Sequence, residues 1–223
     1  MRQLLLPFEP LSFHPKLSDF LPGKNAELLH QIALALLENQ ESAIFYVWGS
    51  KGTGKTHLME AVAYAAIVAG KTPALLKPAC PFPAFFQVLL IDPIECFEKE
   101  EQSALIAPLD EAIVNGALVF ATGRFPLKSG HLRPDLASRF TRGLVYPLLL
   151  PDEDSMEAMI WRRAKALALE LSPSVVRYMR YHLPNNPRDL VLFLEKLAAY
   201  SLSESKPVTV NLVKKLLENN FLA

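Results

Sequence analysis

The run Gly49-Ser50-Lys51-Gly52-Thr53-Gly54-Lys55-Thr56 has the residue types and the spacing of a phosphate-binding loop. Gly49, Gly52 and Gly54 let the backbone curl around phosphates with no Cβ in the way, and Thr53 belongs to the same cradle. Lys55 would reach the β- and γ-phosphates, and the Thr56 hydroxyl would hold a magnesium ion. The flanks supply the required context. Ile44–Trp48 is a short β-branched and aromatic run that reads as a strand, and a helix opens at His57. The first N–H groups and the positive dipole end of that helix would face the anion. A nucleoside di- or triphosphate site is therefore expected, taking ADP or ATP with Mg2+.

A second half of the site lies downstream. Phe85–Ile91 reads as a buried strand that closes on Asp92, and a carboxylate at such a strand end sits beside the P-loop and holds magnesium through water. The next residue, Pro93, has no side chain able to accept a proton. The first acid beyond it is Glu95, whose direction depends on the path taken through Pro93. Thr122, just past the predicted strand Ala117–Ala121, would either touch the γ-phosphate or simply end the strand.

These residues need a frame. The chain has 223 residues, 51% of them hydrophobic, enough for a sizeable core. Lys plus Arg (23) equals Asp plus Glu (23), so overall charge gives no reason to expect nucleic acid or an acidic membrane as partner. Two cysteines without metal-type spacing, Cys80 and Cys96, are expected as reduced thiols of a cytoplasmic protein; no signal peptide or membrane span is expected. Asn25 is expected to cap a helix over Ala26–Glu38. Thr72–Leu76 and Leu144–Tyr146 read as further strands, and Glu98–Asn115 as a helix disturbed by Pro108. The alternation predicts an α/β parallel sheet flanked by helices. Beyond the Leu148–Pro151 hinge the pattern is helical only: Glu153–Leu169 capped by Asp152, a helix from Ser172 or Ser174 to about His182, one from Asn186-Pro187 to Ala199, and Val210–Asn220. Three segments follow: an N-terminal peptide and linker (1–19), a nucleotide-binding domain (20–150) and an all-helical domain (151–223). The apolar Leu4-Leu5-Leu6-Pro7-Phe8 run is open to two readings, a strand packed on the body or an exposed linear motif that docks in a partner's groove.

Phe20-Leu21-Pro22-Gly23-Lys24-Asn25, the P-loop, Leu90-Ile91-Asp92-Pro93-Ile94-Glu95-Cys96, Pro134-Asp135-Leu136-Ala137-Ser138-Arg139 and Pro187-Arg188-Asp189-Leu190 together resemble the AAA+ ATPases, more narrowly the DnaA initiator group. Two further features resemble the DnaA-related regulatory inactivators, the Hda family. The chain is expected to carry no helix-turn-helix domain after the lid, and Gln3-Leu4-Leu5-Leu6-Pro7-Phe8 is similar to that family's sliding-clamp-binding peptide. The resemblance implies an AAA+ module with a C-terminal helical lid. It places Leu21, Pro22, Gly23 and Asn25 near the adenine, with His57 in the nucleotide site. Asp92 becomes the Walker B acid, Thr122 the sensor-1 neighbour, Arg139 the arginine finger that reaches a neighbour's nucleotide, and Arg188 the lid sensor 2. It also implies docking of Gln3, Leu4, Leu6, Pro7 and Phe8 on the DNA polymerase III β sliding clamp, and a role in raising ATP hydrolysis by the initiator DnaA. A homodimer through the same peptide is a further expectation.

Pro93 departs from active members, which carry a second acid there to orient the attacking water, so slow or absent hydrolysis by the isolated chain is expected. The Pro78–Pro83 link is much shorter than the helix-containing segment of initiators, which removes the usual platform for single-stranded DNA. A helicase loader or transposition helper shares the fold and is the competing reading; Pro93 and the balanced charge count against it. A DNA-anchoring adaptor lacks a basic recognition helix, and a small-molecule kinase would not carry this helical tail.

Overall fold

The computed structural model describes residues 15–20, 22–37, 43–184, 187–204 and 206–218. Leu21 and the peptide Gln3–Phe8 lie outside them. The chain divides into two compact units, Met1–Leu148 and Leu149–Ala223.

The first unit is a parallel sheet. Its strands are β1 (Ile44–Trp48), β2 (Pro73–Leu76), β3 (Val88–Ile91), β4 (Leu118–Gly123) and β5 (Leu144–Pro147), in the order β2-β3-β4-β1-β5. Every pairing is parallel. Its helices are α1 (Ala26–Leu37), α2 (Lys55–Val68), α3 (Lys99–Ala104), α4 (Ile106–Val114) and α5 (Pro134–Thr141). The central strands are almost wholly apolar because both faces are covered. Phe45, Val47, Val88, Leu90, Leu118 and Phe120 enter one core with Leu28, Ile32, Leu58 and Val62 of α1 and α2. The alternate residues Tyr46, Leu89, Ile91, Val119 and Ala121 enter the other, with Leu105, Leu109, Leu136 and Phe140. This is the period-2 alternation of a strand sorted onto two cores. Phe45 and Phe120 are directly paired across β1 and β4 and stack at 4.6 Å, a contact worth about 0.5–1.5 kcal/mol beyond its burial.

Ahead of α1, Gly23–Asn25 form a 3-10 turn, with the Asn25 N–H on the Pro22 carbonyl (2.7 Å), that runs straight into the helix. Two local expectations need correction. Strand β3 starts at Val88 because Phe86 packs edge-on against Phe82 of the proline-rich link, and Phe85 is exposed. The helix expected over Glu98–Asn115 is two, broken at Leu105. Pro108 has no N–H for the Ala104 carbonyl and its ring crowds that oxygen, so the break falls there.

The second unit is α6 (Glu153–Ala166), α7 (Pro173–His182), α8 (Pro187–Glu204) and α9 (Val210–Glu218). Asp152 caps α6 through the Ser155 N–H and Ser172 caps α7 through that of Val175. Ile160, Val176, Met179, Phe193, Leu194, Leu197 and Val213 form its own buried core. Arg180 joins α7 to α6 by 2.7 Å bonds to both Glu153 and Glu157.

Gly143 is a tight point between α5 and β5. A Cβ there would strike the Ile44 carbonyl oxygen and lie 2.7 Å from the Ile44 Cβ, and backbone cannot step aside as a side chain would. Gly143→Ala is expected to destabilise the protein by about 1–3 kcal/mol. In urea unfolding this is read as a lower midpoint at unchanged m-value; an unchanged midpoint would mean that Ile44 yields freely.

Candidate functional site

The site forms where β1, β4 and β3 end side by side. Register sets Trp48 opposite Gly123 and Ile91 opposite Ala121, so the P-loop, Thr122 and Asp92 emerge along one edge of the sheet. The Gly49 N–H donates to the Gly123 carbonyl at 3.0 Å, which fastens the start of the P-loop to β4. Gly52 (φ 89°) and Gly54 (φ 97°) take the left-handed backbone that the curl requires. Thr53 is buried and its hydroxyl donates to the Ser50 carbonyl at 3.0 Å. The Lys55 ammonium donates to the carbonyls of Gly49 (2.6 Å) and Ser50 (2.9 Å). Thr56 and His57 are exposed on the first turn of α2, whose cap residue, Gly54, brings no side chain to bond the turn's N–H groups.

The His57 ring lies 5.2 Å from that of Phe20, and Phe20 also approaches Gly54. Phe20 thereby brings the segment that continues into Pro22, Gly23 and Asn25 to the head of α2.

The carboxylates complete the arrangement. Thr122 is fully buried at the second-last position of β4, and its hydroxyl donates to Oδ1 of Asp92. Glu95 does not leave the site: a 3-10 turn over Ile94–Cys96 returns it to β4, where its carboxylate accepts the Arg124 N–H. Burial pulls the Lys55 ammonium below its ordinary pKa, the charges of Asp92 and Glu95 oppose that, and Arg124 adds to it. Burial and then Asp92 push the Glu60 carboxyl up.

Three contributors were not anticipated. Tyr46 donates from its hydroxyl to the Phe125 carbonyl (2.8 Å), and burial followed by the Glu95 charge raises its pKa. Its signal in the sequence was a polar-tipped residue in the middle of an otherwise apolar strand. Glu60 stands one helical turn beyond Thr56. Arg124, the first residue after β4, is exposed and lies over the Phe125 ring, which stacks on His131 at 3.9 Å.

Arg139 is not at this edge-on cluster. It sits on α5, where Asp110 of α4 takes it in a two-pronged ion pair. Arg188 is in the first turn of α8, in the second unit.

This geometry can cradle phosphates on main-chain N–H groups and one ammonium, and can hold a hard divalent cation with Thr56 and Asp92 oxygens. Two family matches agree with it. Residues 13–75 match the bacterial DnaA ATPase domain, and residues 152–217 match the Hda lid domain. Among solved structures, domain III of Thermotoga maritima DnaA is similar over 96% of this chain and 98% of that one, with a TM-score of 0.80 at 19% identity. AMPPCP-bound DnaA from Aquifex aeolicus gives a TM-score of 0.69 at 20% identity, over 85% of this chain and 66% of that one. The Thermotoga maritima RuvB Holliday junction branch migration motor gives 0.70 at 20%, over 92% and 71%. At these identities the structural likeness is one of fold. The fold is that of an AAA+ module, a parallel sheet flanked by helices, followed by a helical lid.

If Thr122 orients Asp92, Thr122→Val should keep the packing and lose the bond. Nucleotide binding by titration calorimetry, with and without Mg2+, is expected to show the magnesium-dependent gain in affinity reduced about tenfold, the scale of one hydrogen bond to a charged group. An undiminished magnesium effect would detach Thr122 from the function of Asp92.

Proposed function

The chain is a DnaA-related AAA+ protein of the Hda type, and from that premise we propose that it is a nucleotide-binding regulator tethered to the DNA polymerase III β sliding clamp, which stimulates ATP hydrolysis by the initiator DnaA and so inactivates it. The observation that carries this reading is the Hda-type lid over residues 152–217 directly behind a P-loop module. It separates the chain from other AAA+ proteins of the same fold.

The local chemistry supports the division of labour. Asp92 is followed by Pro93, and Glu95 is committed to the Arg124 N–H, so neither position offers a free base to an attacking water. The resident nucleotide, ADP or ATP, then acts as a structural ligand. Lys55 and the P-loop N–H groups bind its phosphates, and Thr56 and Asp92 hold magnesium, which spreads phosphate charge. By the family resemblance, Leu21, Pro22, Gly23 and Asn25 would serve the adenine and Arg188 would be the sensor residue of the lid. Hydrolysis is delegated to the partner. Arg139 would enter the DnaA site and stabilise charge developing on the γ-phosphate, as a guanidinium supplied in trans does. Gln3, Leu4, Leu6, Pro7 and Phe8 would dock in an apolar clamp groove and raise the local concentration of the finger where the clamp is loaded.

Two measurements separate these roles. A Gln3→Ala/Leu6→Ala/Phe8→Ala variant is expected to lose clamp binding in a surface-resonance assay while nucleotide binding stays unchanged. Arg139→Ala is expected to bind clamp normally and to lose the stimulation of DnaA-bound ATP hydrolysis, a rate effect of about a thousandfold or more for a finger. Unaltered clamp binding by the triple variant returns Leu4–Phe8 to a packing role. Full stimulation by Arg139→Ala removes the finger from the reading.

A further inference from the structure

We propose that Asp110 is a positioning residue for Arg139, holding its guanidinium so that one edge remains open to a phosphate of a neighbouring molecule; this rests on the finger role of Arg139 given above. The two residues are 29 apart in sequence, on α4 and α5. Arg139 Nε donates to Asp110 Oδ1 at 2.8 Å and Nη2 donates to Oδ2 at 2.5 Å. Nη1 donates to the Asp135 carbonyl at 3.0 Å, one turn back on α5.

A guanidinium has five N–H groups in a rigid plane. Three are used here, one on each nitrogen. The carboxylate lies side-on, against Nε and Nη2, and the carbonyl takes the third group. The two that remain are one on each terminal nitrogen. With the Asp135 carbonyl on the Nη1 hydrogen that faces Cδ, these two would point the same way, as in an arginine's grip on two phosphate oxygens. A long side chain with many rotamers is thereby reduced to one direction, with its end part-exposed (24% for Arg139 and 47% for Asp110).

The carboxylates nearby are matched by cations. Asp135 is engaged by Arg133 through two bonds (3.2 and 2.8 Å), and Arg142 adds a second cation to the field at Asp110. The ion pair therefore orients the finger without leaving the surface around it negative. Were Asp110 a decoy that withholds Arg139, its removal would release the finger and accelerate hydrolysis; as a support, its removal slows it.

The test compares Asp110→Ala, the isosteric Asp110→Asn and Arg139→Ala with the parent, each as the full chain loaded on the clamp. ATP hydrolysis by DnaA is followed in single-turnover mode against the concentration of the chain. Asp110→Ala is expected to lower the maximal stimulated rate by about ten- to a hundredfold, the scale of a misplaced catalytic group. Asp110→Asn, which keeps one acceptor oxygen, should fall between. The concentration for half-maximal stimulation should not move in either. A maximal rate that is unchanged or higher in both Asp110 variants, with Arg139→Ala inactive, overturns the positioning role and leaves the finger standing. A shifted half-saturation at unchanged maximal rate overturns it as well, since Asp110 would then serve docking. Full activity in Arg139→Ala overturns the finger and the positioning role together. Asp110→Asn keeps the comparison decisive if the alanine variant fails to fold.

Discussion

The bond from the Gly49 N–H to the Gly123 carbonyl ties the P-loop to the neighbouring strand, and the site depends on how closely the two strand ends can approach there. Both residues are glycine for the same reason. A Cβ on Gly49 would lie 2.7 Å from the Leu148 carbonyl. One on Gly123 would strike the Tyr46 hydroxyl and stand 3.0 Å from Glu95 Oε1. With no side chain at Gly123, the Tyr46 hydroxyl, the Glu95 carboxylate and the Arg124 N–H share a volume that would otherwise be filled. Tyr46 reaches through it to the Phe125 carbonyl and so fixes the loop that leaves β4. The end of β3 is bound to the same place twice, by Thr122 on Asp92 and by Arg124 on Glu95. Three strand ends are thus tied together.

The site gathers three carboxylates. Asp92, Glu95 and Glu60 face Lys55 and Arg124, and the Lys55 ammonium is partly desolvated. A polyphosphate entering such a site meets carboxylates that repel it. Main-chain dipoles at the head of α2 offset part of this. A hard cation held by Thr56 and Asp92 would supply the charge that offsets the remainder. The oxygen-donor set at Thr56 and Asp92 suits magnesium for that reason. The Glu95 contact has a second effect, because a carboxylate spent on a main-chain N–H is a poor proton acceptor.

Much of this was legible in the sequence where one stretch decides the outcome. The P-loop glycines and Lys55 announce a cradle because their spacing is local, and the apolar runs at Ile44–Trp48 and Leu118–Ala121 fix the central strands because both faces are buried. The helix cap Asp152 was read from residue type and position alone, and Ser172 was one of two candidates beside Ser174. Legibility fails where tertiary contact overrides local preference. Phe85 and Phe86 have strong strand propensity, yet Phe86 packs on Phe82 and the pair falls outside β3. Pro108 signalled a disturbance, but not that the helix would part three residues earlier, at Leu105. Tyr46 with Phe125, Glu95 with Arg124 and Asp110 with Arg139 are joined across 29 to 79 residues. No periodicity reports such pairs, because each depends on how strands and helices are stacked rather than on what any one segment prefers.

The Asp110–Arg139 pair also shows why an ion pair on a part-exposed surface need not be there for stability. Pairs of this exposure contribute about 0–1 kcal/mol, since solvent screens the attraction and two side chains lose freedom. The same loss of freedom is useful if one of them must present itself to another molecule. An arginine that swings freely has to be ordered at the moment of contact, and that cost is subtracted from the interaction. Ordered in advance by a carboxylate on one edge and a main-chain carbonyl on another, it meets its target with the cost already met by folding. The second carboxylate of the neighbourhood, Asp135, is bound by Arg133 and its own helix, accepting the Leu136 N–H. Asp110, with the Asp135 carbonyl, is therefore what sets the direction of Arg139, at little gain in the stability of α4 and α5.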